Sequence, residues 1–262
     1  MNKLPIWIIA PLLLATITNN ASADERYIEL KTRPGVTQGI YLVKPASPAA
    51  SVVLIPGGSG VIKLGPSGPE RDTNFLVRSR DLFAENNLMV AVVDAASDFS
   101  GRDDGLAGKR TSAEHVRDLN AVVAFLRKEA KVPVWVIGTS RGTISAAALA
   151  SQMPDTIDGI VLTASVSESG KGRPDSVLSS DLSKITKPVL LVHHKHDDCY
   201  VSPFGGVKKI QKKLVNARTV EMYSFEGGKA KQKNGCKPKT YHGFFKIENE
   251  VVGKISDWIK SH

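Results

Sequence analysis

The sequence predicts an α/β protein, with a mostly parallel central sheet and helices on both faces. Short apolar runs recur along the chain, among them 51–55, 88–93, 159–163 and 188–193, and stretches of helical spacing separate most of them. Strands that alternate with helices pair in parallel and need cover on both sides. Several runs break into glycine-rich or acidic loops, Pro56-Gly57-Gly58-Ser59-Gly60 and Asp94 being two of them. Ligands of such sheets sit beyond the carboxyl ends of the strands. At 262 residues the chain is long enough for one sizeable core.

Taken in order, Tyr27–Lys31 and Gly39–Val43 alternate as a leading antiparallel pair with Pro34-Gly35 as the turn between them. Ser51–Ile55 is the first buried strand. A helical pattern follows at Phe75–Glu85, then a strand at Leu88–Val93. Ser112 caps a helix that runs to Glu129, Val132–Ile137 is a strand, Arg141–Met153 a helix and Gly159–Thr163 a strand. The series closes with a strand at Pro188–His193, a lysine-rich helix at Phe204–Leu214, a strand at Arg218–Phe225 and a terminal helix at Ile247–Lys260. Only about 20 mostly polar residues separate Thr163 from Ser183, where a lid would be inserted, so no large cap domain is expected. No internal repeat interrupts this order.

The first 23 residues read as a secretory signal peptide: Lys3 supplies a positive charge, Ile6–Leu14 an apolar run and Ala21-Ser22-Ala23 a small-residue cleavage site. Residues 24–262 then form a single exported domain, periplasmic or secreted. The apolar run falls short of the roughly 20 residues of a membrane span, so no stable insertion is expected after cleavage. The whole chain carries a net charge of +9, and the leader takes away one lysine and no acid, leaving +8. A basic exported protein is drawn to anionic surfaces and anionic substrates. The densest positive stretch, Lys229, Lys231, Lys233, Lys237 and Lys239, is broken by glycine and proline and lacks interleaved aromatics. It reads as a solvated loop, and no nucleic-acid partner is expected. The two cysteines, Cys199 and Cys236, both follow the leader, and export places them where disulfides persist. A bond between them is expected to stabilise by about 4 kcal/mol in the chain-entropy model.

The apolar run Val134–Ile137 breaks into Gly138-Thr139-Ser140-Arg141-Gly142, and an alanine-rich helical stretch follows. This is the layout of a strand, a sharp turn and a helix, where a hydrolase carries a nucleophilic serine. The glycines let the chain bend and let a substrate carbonyl approach, while helix N-terminal amides face the developing oxyanion. A serine needs a base to take its proton, and the base needs an acid to fix its tautomer. Beyond the strand ends the chain offers Ser140, then Asp197 or Asp198, then His242, in that order. The backbone N–H of Arg141 and one from the loop after Ile55, assigned to Gly58, are the expected oxyanion donors.

That order on this sheet pattern resembles the α/β-hydrolases, most closely the small, lid-poor dienelactone hydrolase-like members, over residues 50–262. The resemblance implies an α/β-hydrolase fold with the serine after the fifth strand, the acid after the seventh and the histidine after the eighth. It also implies an H-G-x-x-D segment after the seventh strand. His193-His194-Lys195-His196-Asp197 fits that segment with histidine in place of glycine, which favours Asp197. Asp198 stays open because Val201 follows it at the spacing at which a valine follows the acid in such proteins. The implied activity is that of a cofactor-free serine hydrolase, a carboxylesterase or dienelactone hydrolase-like enzyme, acting on a small-molecule ester or similar acyl substrate.

Two rival readings use the same residues. One is a non-catalytic binding protein on the same fold. The other is a metal-dependent hydrolase built on His193, His194, His196, Asp197 and Asp198. An extended strand up to His194 turns His193 and His194 to opposite faces, which argues against convergence on one ion. Asp94, at the end of an earlier strand, reads as structural, while Asn74, Arg78, Arg102 and Arg110 are either pocket-border residues or solvated surface. A Cys199–Cys236 bond ties the acid loop to the base loop, either as a preorganising device or as a surface staple.

Overall fold

The computed structural model describes residues 23–170 and 174–262, so residues 1–22 of the expected leader lie outside the described residues. The strands of the main sheet are β1 (Asp24–Arg33), β2 (Val36–Lys44), β3 (Ala50–Ile55), β4 (Leu88–Val93), β5 (Val134–Thr139), β6 (Gly159–Thr163), β7 (Val189–His194) and β8 (Val220–Phe225). They form one eight-stranded sheet in the order β1-β2-β4-β3-β5-β6-β7-β8. From β3 to β8 every pairing is parallel, and β2 runs antiparallel to both of its neighbours.

The helices are α1 (Phe75–Arg78), α2 (Arg80–Glu85), α3 (Ser97–Ser100), α4 (Ala113–Ala130), α5 (Gly142–Gln152), α6 (Val207–Gln211) and α7 (Glu248–Ser261). Alternate residues of each strand feed two cores. Val53, Ile55 and Val136 pack toward α4 and α5, whereas Val52, Leu54 and Ile137 pack toward α1, α2 and α7. Helix α4 shows why its residues choose this state: Val116, Leu119, Val122, Val123 and Leu126 form one buried stripe, and the Ser112 side chain accepts from His115 N. Burying each such side chain contributes about 1.5–3 kcal/mol. Strands β3 to β7 are buried end to end, as a sheet covered on both faces requires.

Two helical expectations come out shorter. Phe75–Glu85 is broken at Ser79, giving α1 and α2. The run expected over 204–214 is a 3-10 turn at Phe204–Gly206 followed by the five-residue α6. Gly205 and Gly206 weaken its start, and Lys208/Lys212 and Lys209/Lys213 set like charges four residues apart, so the helix does not propagate. Between β6 and β7 the described residues hold only two 3-10 turns, Val177–Ser179 and Leu182–Lys184, and no large cap. Among the described residues no helix is long and apolar enough to cross a membrane.

The sheet order creates the place for a site. From β3 the chain moves to β4 on one side, and β5 then enters on the other side of β3. The loops after β3 and β5 therefore part in opposite directions and leave a crevice between them, a topological switch point.

Candidate active site

Ser140 stands on the turn between β5 and α5 with φ +51, a left-handed conformation that costs a serine about 1–3 kcal/mol. The turn is pinned on both sides: Ser140 N donates to Thr163 O, and Ser140 O accepts from Thr143 N and Thr143 Oγ1. Close packing explains the flanking glycines. A Cβ on Gly138 would sit 2.4 Å from Gly142 O, and one on Gly142 would sit 2.2 Å from Ile55 O. The loop after β3 meets the serine directly, since a Cβ on Gly57 would be 2.9 Å from Ser140 Cβ.

Gly58, in the same loop, has φ +63. Arg110 braces this loop from beneath: its buried guanidinium donates through Nη2 to Pro56 O at 3.2 Å and Gly58 O at 3.3 Å, and through Nη1 to Ser145 Oγ at 2.9 Å. His115 Nε2 lies 2.9 Å from the same Ser145 oxygen. Burial, with the nearby Arg110 and Arg33 charges, pushes the His115 imidazole down to about 3, so it is neutral at any ordinary pH.

Asp197 is buried in the loop after β7. Its Oδ1 accepts from Cys199 N at 3.0 Å, its Oδ2 accepts from His242 Nδ1 at 2.8 Å and Ser202 Oγ at 3.3 Å, and His193 Nε2 lies 3.2 Å from the same Oδ2. Burial alone would raise the carboxyl, but the hydrogen bonds and charge interactions with His193 and His242 outweigh it and hold it well below the usual carboxylate range. Asp198 is exposed, and its Oδ1 lies against Gly235, where a Cβ would meet it at 2.2 Å.

His242 is buried in a 3-10 turn, Tyr241–Gly243, capped by the Thr240 hydroxyl, which accepts from His242 N. Thr240 Oγ1 also lies 2.7 Å from Gly235 O and 2.8 Å from Lys237 O, which couples His242 to the loop that carries Cys236. Arg78 ties the other side of this turn to α7, donating to Gly243 O and to Glu248 Oε1. His242 Nε2 has no hydrogen-bond partner among the described residues. It and Ser140 line one cavity of about 440 Å³, together with Gly58, Asn74 and Lys237. A second cavity of about 270 Å³, edged by Arg141, Tyr200 and Asn234, shares Gly58, Ser140 and Cys236 with the first.

Cys199 and Cys236 are joined by a disulfide. It links the loop of Asp197 to the loop that leads into His242: Cys199 N holds Asp197, and Cys236 lines the cavity with Ser140.

The remaining candidates fall elsewhere. Asp94 accepts from the Ile62, Leu64 and Ala95 amides and organises the chain after β3. Arg102 pairs with Asp104 and lines a cavity of about 420 Å³ around Asp94, which adjoins the Ser140 cavity through Ser59, Val61 and Arg71. Arg110 borders no substrate space of its own but supports the Gly58 loop. His193 and His194 diverge across the strand, His193 to Ser202 O and His194 to Gly227 O. Among the described residues no group of three or more His, Cys, Asp or Glu side chains is arranged to hold a metal ion. Reading the sequence missed the Arg110–Ser145–His115 support, which has no local signature.

Residues 81–186 match the model of the serine aminopeptidase (S33) family. No curated protein sequence matches the chain. Among solved structures the chain is similar to a dienelactone hydrolase from Anabaena variabilis, with 13% identity, a TM-score of 0.64 and coverage of 92% of this chain and 99% of that one. It is similar to an esterase from Pyrococcus furiosus, with 14% identity, a TM-score of 0.65 and coverage of 91% of both chains. A third likeness is to Est1E from Butyrivibrio proteoclasticus, with 14% identity, a TM-score of 0.60 and coverage of 89% and 97%. With its sheet order, its crossing after β3 and the absence of a large cap among the described residues, the chain has the α/β-hydrolase fold.

Proposed function

We propose that the protein is an exported serine hydrolase that cleaves a carboxylic ester or similar acyl substrate through an acyl-enzyme. The observation that carries this reading is the 2.8 Å hydrogen bond from His242 Nδ1 to the buried Asp197 carboxylate, with His242 and Ser140 on the wall of one cavity. In this scheme Ser140 Oγ attacks the carbonyl carbon and His242 Nε2 takes its proton, while Asp197 stabilises the imidazolium. The amides of Gly58 and Arg141 receive the oxyanion. His242 then protonates the leaving alkoxide. Water, deprotonated by the same nitrogen, attacks the acyl carbon and restores Ser140.

The two cavities that meet at Ser140 provide separate room for the acyl and alcohol portions of a substrate. Export is supported by the leader pattern of residues 1–23 and by the disulfide. The single-domain reading of residues 24–262 rests on the continuous sheet.

A serine-directed fluorophosphonate probe tests the proposal. The wild type is expected to label and Ser140→Ala to stay unlabelled; an unlabelled wild type, or equal labelling of both, contradicts it. A non-catalytic binding protein is the second reading, and the observation in its favour is that His242 Nε2 makes no hydrogen bond to Ser140 in this structure. Catalytic hydrogen bonds are often long before substrate arrives, and the probe separates the two readings. Retention of activity in chelator separates the proposal from a metal-dependent hydrolase.

A further inference from the structure

We propose that His193 is a positioning residue for the acid, holding Asp197 in one orientation while His242 gains and loses its proton. The inference rests on the assignment of Ser140, Asp197 and His242 above. His193 is the penultimate residue of β7, fully buried and turned toward the acid loop, with the Phe204 ring edge-on at 5.9 Å between centroids. Its Nε2 lies 3.0 Å from Ser202 O and 3.2 Å from Asp197 Oδ2. A carbonyl oxygen only accepts, so the ring hydrogen is assigned to Nε2; this N–H bonds the Ser202 carbonyl and presents its positive end to the carboxylate 3.2 Å away. His193 Nδ1 has no partner among the described residues, so every hydrogen bond of the ring serves the acid loop.

The geometry shows what a contact mounted on the strand adds. The other bonds to the carboxylate come from the acid loop itself, through Cys199 N and Ser202 Oγ, or from the base it orients. Cys199 N fixes Oδ1 from the loop backbone, and His193 fixes Oδ2 from the end of a buried strand. A strand end is a more rigid mount than the loop itself. When His242 becomes cationic its attraction for Oδ2 rises, and His193 and Ser202 keep the oxygen from following it toward the serine. The titratable groups around this ring are Asp197 on the acid loop and His242 on the base loop, with His194 next to it on β7 and His196 beyond the strand end.

The test compares the wild type with His193→Leu, which removes the donor, and His193→Gln, whose amide nitrogen can occupy the place of Nε2. The readouts are kcat, KM, thermal midpoint and the pH profile of kcat/KM. His193→Leu is expected to lower kcat by about 10- to 100-fold, as small misplacements of catalytic groups do, with KM within about twofold. His193→Gln is expected to recover most of the loss. Removing a donor leaves the carboxylate more basic and binds the imidazolium more tightly, so the acid limb of the Leu variant moves to higher pH.

Wild-type kcat in His193→Leu overturns the inference. So do losses in both variants that track the thermal midpoint and leave the acid limb unmoved. If His193→Leu does not fold, His193→Asn, whose shorter amide cannot span to Oδ2, takes its place with the same expectations. Fluorophosphonate labelling of the wild type is run alongside. Absence of labelling defeats the triad assignment itself, whereas Ser140-dependent labelling with an unaffected Leu variant defeats only the role of His193.

Discussion

At the end of β5 the chain holds Ser140 by its backbone, whereas at the end of β7 it holds Asp197 by side chains. The serine turn has a strained φ, two hydrogen bonds to its own carbonyl, and flanking glycines jammed against Ile55 and the start of α5. The acid loop has no left-handed residue between His193 and Ser202, and it fixes its carboxylate with one backbone amide, a serine and two histidines, with a disulfide behind them. The first arrangement resists any added atom but is insensitive to pH and redox state. The second rests on titratable side chains and adjoins the Cys199–Cys236 bond. On the proposed mechanism the difference has a reason: a nucleophile has to project its oxygen, which backbone strain favours, and an acid has only to stay charged and still, which converging donors favour.

The largest expected effect breaks the nucleophile side of this contrast. Ser140→Gly should abolish turnover, by about a millionfold as for loss of the serine in other triads, while relieving the left-handed strain and raising stability by about 1 kcal/mol. Steady-state assays and thermal unfolding of the same preparation check both halves; a destabilised Gly variant would mean that the turn is not strained.

Next, Asp197→Asn should lower kcat by about ten-thousandfold, because an amide no longer fixes the imidazole tautomer, whereas Asp198→Asn should stay within about twofold. Equal losses in the two variants would erase the distinction drawn from their geometry.

Reducing the disulfide ranks third. Loss of about 4 kcal/mol of stability is the upper expectation. Because Cys199 N holds Asp197 and the Cys236 loop contacts Thr240, activity should fall at temperatures where the reduced protein is still folded. Activity that declines only with unfolding would reduce the bridge to a staple.

The smallest effect concerns pH and lies under the Gly58 loop. His115 has a folded value of about 3 against about 6.5 unfolded. The unfolded chain therefore takes up a proton that the folded one refuses, and stability is lost as pH falls from about 6.5 toward 3. Asp197 is depressed as well, so its contribution is present above the unfolded carboxylate range and is lost progressively as pH falls from that range through its folded value, overlapping only the acid end of the His115 window. His115→Gln should flatten the thermal midpoint between about pH 6.5 and 4; an unchanged slope there would mean that His115 protonates in the fold.

Particular residues show how far the sequence was legible. The sheet could be read because β3 to β7 are buried on both faces and so appear as unbroken apolar runs that stop at glycine or a polar residue. Leu88–Val93 and Gly159–Thr163 were anticipated to the residue. The lysine-rich helix was overextended because spacing says nothing of repulsion between like charges at 208/212 and 209/213. Ser140 announces itself through the close-packed glycines around it. The choice between Asp197 and Asp198 is a one-residue matter of loop direction, which a linear pattern does not encode. Arg110 is buried beneath the Gly58 loop by contacts with residues more than 30 positions away in both directions, so in the chain it looks like any solvated arginine.

The most direct measurement is peptide mapping by mass spectrometry after reaction of the wild type with a fluorophosphonate. The account predicts a single phosphonylated serine, Ser140, with the adduct lost in His242→Ala at matched exposure. An adduct on another serine, or none on a folded wild type, would contradict it.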